Sequence, residues 1–217
     1  MLKVAFFVFG NELIAQIVDM SEGIRNNKRF TASNGIHIVS SDCPDITTDT
    51  LYIRGCDKSR DNELIFYRCA NNREAMEKAK AIMLAVKEAT KNENSVMLVT
   101  EKDFFDTVEL NGTLKINMLK WQNSLIIKII DINDNDRGTK SITHNRLIIK
   151  SASHPQLSET TLYVRGTHNK YDNEVLHLSF SSSLGVKKFA DNIISGVKKW
   201  NDSTENTVQF YDFIPIF

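Results

Sequence analysis

A six-residue sequence that occurs twice constrains the fold of this chain more than any other feature. Thr-Leu-Tyr-Ile-Arg-Gly stands at residues 50–55, and Thr-Leu-Tyr-Val-Arg-Gly stands 111 positions later, at 161–166. An Asp-Asn-Glu triplet follows each copy at the same distance. Over residues 50–69 and their partners, 8 of 20 positions are identical, where roughly one would match by chance. This excess indicates an internal repeat, which has to be recognised before any other part of the sequence is interpreted.

The repeat extends over almost the whole chain. Further identities recur at an offset of 112 near the start and the end of the unit and of 111 between, so the two copies are residues 1–112 and 113–217. A unit of this length is a small domain, and two fused copies predict a pseudo-twofold pair. The matched positions include Asn11/Asn123, Asp19/Asp131, Asn34/Asn145, Pro44/Pro155, Ile82/Ile193 and Val86/Val197.

The periodicity predicts an α+β unit of about five antiparallel strands, one helix and one further strand. Polar loops are expected at about 21–33 and 133–144. The first hairpin of each copy is apolar on both faces, which predicts that one sheet packs against the other copy or a partner chain. Besides the tyrosine motifs, the predicted strands are 4–9, 13–18, 36–40, 64–69 and 96–100, with 116–121, 125–130, 147–151, 175–180 and 208–211 in the second copy.

Each copy also predicts one helix, at about 71–91 and about 182–200. Apolar residues recur there at helical spacing. Asn71 followed by Glu74 is a capping signature, and a serine at 182 or 183 fills the same role in the second copy. The sequence therefore places one amphipathic helix after the strands of each unit.

Strand alternation predicts that the tyrosine and arginine of each motif face away from the helix. These residues are Tyr52 and Arg54 in the first copy and Tyr163 and Arg165 in the second. Two interpretations are open. The favoured one is structural, with each arginine paired to the aspartate of its own Asp-Asn-Glu triplet; the other is an exposed surface that binds a ligand or partner.

Charge is balanced overall but divides between the copies. Residues 1–112 carry 14 Lys+Arg against 17 Asp+Glu, and residues 113–217 carry 13 against 10. Lys187, Lys188, Lys198 and Lys199 concentrate positive charge on the second helix, interrupted by Asp191. Such lysines usually solvate an outer helix face, and nucleic-acid binding is the less favoured alternative.

No motif predicts a catalytic centre, a metal site or a cofactor. His154, His168 and His177 have no zinc-ligand spacing, and the acidic stretch 131–138 lacks the glycine and glutamate positions of a calcium loop. A solvated hairpin loop is expected there instead. Phosphate-binding glycine loops are also missing from the sequence.

Compartment and source are indicated by composition. The three cysteines, Cys43, Cys56 and Cys69, are odd in number and confined to the first copy, which favours a reducing, cytoplasmic setting. No apolar stretch has the length of a membrane span, so no membrane association is expected. The Asn-, Ile- and Lys-rich composition is typical of AT-rich genomes such as those of bacteriophages.

The favoured hypothesis is a non-catalytic interaction or assembly protein, such as a bacteriophage structural or accessory protein, that binds a protein partner or itself. The candidate surface comprises the two tyrosine–arginine pairs and the four lysines of the second helix. The first alternative is a nucleic-acid-binding protein that uses a sheet face or the basic second helix. The second is a small-ligand binder in a cleft between the copies. An enzyme is the least favoured class.

Overall fold

The computed structural model describes residues 2–19, 29–53, 63–105, 108–164 and 174–214. The chain divides into two units, the first ending at Asp103 and the second spanning Phe104–Ile214. Each unit belongs to the α+β class and is built mostly from strands, as the sequence predicts. The origin of the two units by duplication stays a prediction.

The first unit has eight strands and one long helix among its described residues. A 3-10 turn at Glu93–Ser95 joins that helix to the last strand, and a short helix α2 follows at Glu101–Phe104, where the chain passes into the second unit. In chain order the main elements are β1 (Lys3–Phe9), β2 (Glu12–Asp19), β3 (Arg29–Thr31), β4 (His37–Val39), β5 (Asp45–Ile46), β6 (Thr50–Tyr52), β7 (Leu64–Arg68), α1 (Asn72–Thr90) and β8 (Val96–Thr100).

The second unit runs through the same succession of strands and long helix. A 3-10 turn at Asp134–Asp136 lies between its second and third strands. Its main elements are β9 (Leu114–Trp121), β10 (Ser124–Ile132), β11 (Ser141–His144), β12 (Leu147–Ser151), β13 (Gln156–Leu157), β14 (Thr161–Val164), β15 (Val175–Ser179), α3 (Ser183–Trp200) and β16 (Val208–Phe213).

Each unit contains two four-stranded sheets with the same strand order. The first sheet runs β7-β2-β1-β8 in one unit and β15-β10-β9-β16 in the other. The second sheet runs β3-β4-β6-β5 and β11-β12-β14-β13. Both sheets are mixed, because the strand after the helix lies parallel to the first strand of its unit and β4 lies parallel to β6. A parallel neighbour requires a crossover, which α1 and α3 supply for the first sheets.

The prediction of about five strands before the helix is therefore too low in number, whereas the predicted antiparallel pairing holds for most neighbours before the helix, with β4–β6 and β12–β14 as the parallel exceptions. Among the described residues, seven strands precede each long helix, and they divide between two mixed sheets. Strands β3 and β11 lie in stretches predicted as polar loops, since their outward residues are hydrophilic and only their central residues face the core. Strands β5 and β13 have two residues each, too few for a periodic pattern.

The helix predictions are confirmed, including their caps. The Asn71 Oδ1 atom accepts the Glu74 backbone N–H at 2.9 Å, and the Glu74 carboxylate accepts the Ala70 N–H at 2.8 Å. At the start of α3, the Ser182 Oγ atom accepts the N–H of Gly185 at 3.2 Å. The side chains thus satisfy backbone donors that a helix N-terminus leaves without partners.

The core of each unit lies between its long helix and the inner faces of both sheets. In the first unit, Ile82 and Val86 pack in one cluster with residues of both sheets, such as Val4 and Leu51. The second unit repeats this with Ile193 and Val197. On β1, residues of both faces are fully buried, as the sequence predicts. That a partner or the other unit covers the second face stays a prediction.

A glycine in α3 permits close packing of the helix on the second sheet. A Cβ atom added at Gly196 would lie 2.7 Å from the Cδ1 atom of Ile149 on β12. The matched residue of α1, Ala85, is fully buried. A small residue, glycine or alanine, therefore stands at this buried position of both long helices.

Substitution of Gly196 will show how tight this approach is. We expect Gly196→Leu to lower the free energy of unfolding by roughly 1–3 kcal/mol, because its side chain overpacks the helix–sheet contact. We expect Gly196→Ala to change it by less than about 1 kcal/mol, because a gain in helix propensity opposes a contact that the flexible end of Ile149 can relieve. Urea titration of both variants checks this order, and equal effects would contradict it.

Candidate interaction surfaces

Tyr52 lies on the outward face of the second sheet of the first unit, as predicted. Its strand neighbour Leu51 is fully buried in the helix-side core, so the half-buried tyrosine points the other way. Across the sheet, the register places Arg29, Val39, Tyr52 and Asp45 in one row on this outward face. Arg29 and Asp45 at the two ends of the row are exposed.

The second unit carries an equivalent row. Ser141, Lys150, Tyr163 and Gln156 are cross-strand neighbours, and Tyr163 is half-buried between exposed Lys150 and Gln156. We call the two outward faces, each centred on its tyrosine row, the tyrosine faces. Each presents one aromatic ring on a central strand with charged or polar groups beside it. Cross-strand neighbours on one face lie close enough to bind a partner together.

The repeated threonine of the motif has a structural role in both units. The Thr50 N–H donates to the Thr47 Oγ1 atom at 3.1 Å, and the Thr161 N–H donates to the Ser158 Oγ atom at the same distance. The Thr47 and Ser158 N–H groups in turn donate to the carbonyls of Thr50 and Thr161. These turns start the tyrosine strands in both units; the capping hydroxyl belongs to Thr47 or Ser158, and the motif threonine contributes its backbone groups.

The ion pairs expected for the repeated arginines fall outside the part of the chain that the structure describes. Arg54, Asp61, Arg165 and Asp172 all lie outside the described residues. The ion pairs proposed for them stay predictions. The surface arguments below therefore use the two tyrosines without the arginines.

A repeated asparagine joins the second sheet to the long helix in each unit. The Asn34 side chain donates to the carbonyl of Ala81 on α1 at 2.9 Å. In the second unit the roles are exchanged, and the Asn192 side chain on α3 donates to the carbonyl of Asn145 at 3.2 Å. A hydrogen bond between hairpin and helix is thus common to both units, and in the second the repeated asparagine contributes its backbone carbonyl.

The four lysines of α3 lie on its outer half, opposite the buried stripe of the helix. Lys187, Lys188 and Lys199 are exposed and Lys198 is half-buried. The Lys199 ammonium donates to the carbonyl of Thr143 on β11 at 2.9 Å, which fixes it beside the hairpin. These lysines and the tyrosine faces belong to different elements of the unit.

The matched face of α1 has a different charge pattern. Met76, Glu77, Lys87 and Glu88 occupy the positions of the four lysines. The Lys87 ammonium lies 2.7 Å from the Glu93 carboxylate, and Glu88 accepts the N–H and hydroxyl of Ser33 at 3.0 Å. The basic helix face is therefore a property of the second unit alone.

The first unit has a polar cluster where the second is apolar. The Lys78 ammonium on α1 lies 5.2 Å from the centre of the Tyr67 ring and donates to the carbonyl of Thr48. Desolvation lowers the pKa of Lys78, opposed by the nearby Cys69, Asp49 and Glu74. In the second unit the matched positions of Lys78 and Cys69 are phenylalanines, whose ring centres are 5.4 Å apart.

Cys69 gives this cluster a measurable pH response. Burial raises the pKa of the Cys69 thiol from 9.0 to about 11, and Glu74 adds to the increase. The unfolded chain loses this proton near pH 9, whereas the folded chain keeps it until about pH 11. Between pH 9 and 11 the folded state therefore binds more protons than the unfolded state. The free energy of unfolding falls as pH rises through this window.

We expect the urea midpoint of the wild type to fall more between pH 9 and 11 than that of Cys69→Ser. Parallel declines would contradict this.

The acidic stretch considered as a calcium loop is tied to the end of α3. The Asp136 carboxylate accepts the indole N–H of Trp200 at 3.2 Å and lies 3.5 Å from the Lys140 ammonium. Lys140 also donates to the carbonyl of Trp200 at 2.9 Å. The loop is thus packed against a helix terminus, where cations interact favourably with the helix dipole, and is more than a solvated turn.

Comparisons with protein-family models, with curated proteins and with solved structures gave no match to this chain. Among the described residues, no three His, Cys, Asp or Glu side chains converge in a way that could hold a metal ion, and His168 lies outside those residues. The helices of the described part are not long and apolar enough to cross a membrane. Any functional proposal therefore rests on the surfaces described above.

Proposed function

We propose that this chain is a non-catalytic interaction or assembly protein that binds a protein partner, or further copies of itself, through its tyrosine faces. The observation that carries the proposal is the same placement of Tyr52 and Tyr163 in two units. Each ring lies half-buried on a central strand of the second sheet, on the face away from the helix. Tyrosine is enriched at protein interfaces because it offers a large apolar surface and a hydroxyl group together.

The residues around each ring fit a protein partner. In the first unit, half-buried Val39 adds apolar surface between exposed Arg29 and Tyr52. In the second, Ile148 is 37% exposed on the same face as Lys150. An apolar centre with polar groups around it resembles the organisation of a protein–protein interface.

We infer that the two units arose by duplication and form a pseudo-twofold pair. The sequence repeat and the shared order of strands in both sheets support this. Duplication would give the chain two related faces, so one molecule can engage two partners or link successive molecules of an assembly. The Asn-, Ile- and Lys-rich composition favours a bacteriophage source, with a site of action in the host cytoplasm or the virion.

The test is to remove both rings and measure association. Sedimentation velocity over a range of concentrations reports self-assembly, and affinity capture with mass spectrometry reports other partners. We expect Tyr52→Ala/Tyr163→Ala to lose concentration-dependent association or its captured partners, with an unchanged circular dichroism spectrum. The matched control is Tyr52→Phe/Tyr163→Phe, which keeps both rings and is expected to retain most of the association.

The outcomes separate the proposal from its main alternative. Capture repeated with nuclease removes partners that are held through nucleic acid. Loss of every partner under nuclease, with sedimentation that is independent of concentration, would favour a nucleic-acid-binding protein. Unchanged association of the alanine variant would exclude the tyrosine faces as the contact surface.

A further inference from the structure

The outer face of α3 carries four lysines and one carboxylate, Asp191. We define the basic strip as Lys187, Lys188, Lys198 and Lys199 together with Arg146, which is exposed at the tip of the β11–β12 hairpin. The strip continues from helix to hairpin because the side chain of Asn192 bonds to Asn145, the neighbour of Arg146.

The cations of the strip are available to a ligand. Within the part of the chain that the structure describes, none of the five forms an ion pair, and only Lys199 has a hydrogen bond, to the carbonyl of Thr143. Asp191 is the one carboxylate of α3, and Asp202 and Glu205 follow beyond the end of the helix. Grouping cations without partners costs electrostatic free energy, which binding of an anion would offset.

We propose that the basic strip binds the phosphodiester backbone of a nucleic acid, without reading its sequence. Lys188 and Lys199 are roughly 16 Å apart along the helix axis at 1.5 Å per residue. One strand of a duplex carries about five phosphates over that length, at 3.4 Å each. The lysines stand as two pairs, one near each end of the helix, so the strip can contact phosphates on both sides of Asp191 over that length.

The chemistry of the strip favours nucleic acid over an acidic protein surface. Lysine is depleted at protein interfaces, whereas lysine contacts to phosphate oxygens are common in protein–nucleic acid complexes. Helix α3 contains two aromatic residues, Phe189 and Trp200, and both are buried. The strip therefore offers charge without a base-stacking platform, which is typical of sequence-independent binding.

This activity is separate from the tyrosine faces and does not depend on a protein partner. The first unit provides an internal contrast, because two of the four lysine positions of α3 are glutamates in α1, Glu77 and Glu88. The net charge of the chain is zero, so general attraction of a basic protein to a polyanion does not account for binding. Any affinity has to come from a local surface.

The test is fluorescence anisotropy of a labelled oligothymidylate titrated with the purified full chain. If the four lysines contact phosphates, affinity for a single strand should fall roughly 50-fold between 50 and 200 mM salt, from a slope of about −0.7 per contact. Lys187→Gln/Lys188→Gln leaves two of these contacts, so its affinity should fall only about 7-fold over the same range. A labelled duplex of mixed sequence, titrated in parallel, shows whether single or double strands bind more tightly.

The matched control is Lys80→Gln/Lys102→Gln, which removes the same charge from exposed sites in the first unit. We expect this variant to keep the affinity and salt dependence of the wild type. Equal weakening by the two double variants would show that binding follows net charge, and absence of binding at the lowest salt would also overturn the proposal. Circular dichroism of each variant confirms that the helix is retained; should the 187/188 variant unfold, Lys198→Gln is the replacement, with an expected loss of one contact.

Discussion

Ile193→Ala is expected to lower the free energy of unfolding of the second unit by about 2–5 kcal/mol. Ile193 is fully buried in the core of that unit, on the stripe of α3 that also contains Ala190 and Val197. Removing most of its side chain loses burial from water and leaves a cavity, because the helix is held against two sheets and cannot collapse into the space.

The two tryptophans make this measurement specific to the unit. Trp121 and Trp200 both lie in the second unit, and the chain contains no others. Their fluorescence in a urea titration therefore follows the unfolding of that unit. Leu184→Ala is the matched control, since Leu184 is 62% exposed on the same helix, and it should change the free energy by less than about 0.5 kcal/mol. A midpoint unchanged by Ile193→Ala would contradict the core described here.

The same reasoning extends to the first unit. Ile82 is the repeat partner of Ile193 and is 1% exposed. In Ile82→Ala, the first unit should unfold at a lower urea concentration than in the wild type. Circular dichroism during the titration measures this change. If the two units unfold independently, the urea midpoint that tryptophan fluorescence reports should be nearly the same for Ile82→Ala and the wild type. A shared shift would show that they unfold together.

The sequence predicts most of what depends on periodic burial. The helices, their caps and the inward stripes follow from apolar spacing that occurs twice, so each copy checks the other. The sequence pattern does not reveal the whole second sheet, because β3, β5, β11 and β13 are short edge strands. An edge strand of two to four residues buries only one or two side chains, which leaves no period to detect.

The surfaces were only partly predictable for a related reason. Alternation places Tyr52 and Tyr163 on the correct face, since each follows a buried leucine. The rows around them depend on register between β3, β4, β5 and β6, which involves residues far apart in sequence. The lysines of the basic strip form a pattern in the sequence, but the position of Arg146 beside them depends on the contact between Asn192 and Asn145.

The role of Asn201 cannot be predicted from the sequence pattern. Its substitution is expected to have the second large effect on the free energy of unfolding. This residue follows the end of α3 and bonds to the start of β9. Its Oδ1 atom accepts the N–H groups of Thr113 and Leu114 at 2.7 and 2.8 Å, and its Nδ2 group donates to the carbonyl of Leu114 at 2.8 Å. The repeat gives no sign of this role, because the matched residue is Thr90, whose hydroxyl bonds to Val86 and Ser95 instead.

Replacing Asn201 with alanine should lower the free energy of unfolding by about 2–4 kcal/mol, since three or four hydrogen bonds of roughly 1 kcal/mol each are lost. The backbone groups of Leu114 are partly buried, so water replaces the lost partners poorly. Tryptophan fluorescence in urea measures this loss, since β9 ends at Trp121 in the same unit.

Asn201→Asp is the matched control for this clamp. Aspartate keeps an acceptor for the N–H groups of Thr113 and Leu114 but cannot donate to the Leu114 carbonyl. Its loss should therefore be smaller than that of alanine, at about 1–2 kcal/mol. Equal losses would indicate that the bond to the carbonyl dominates. A negligible loss for alanine would show that the end of α3 and the start of β9 are held together by packing alone.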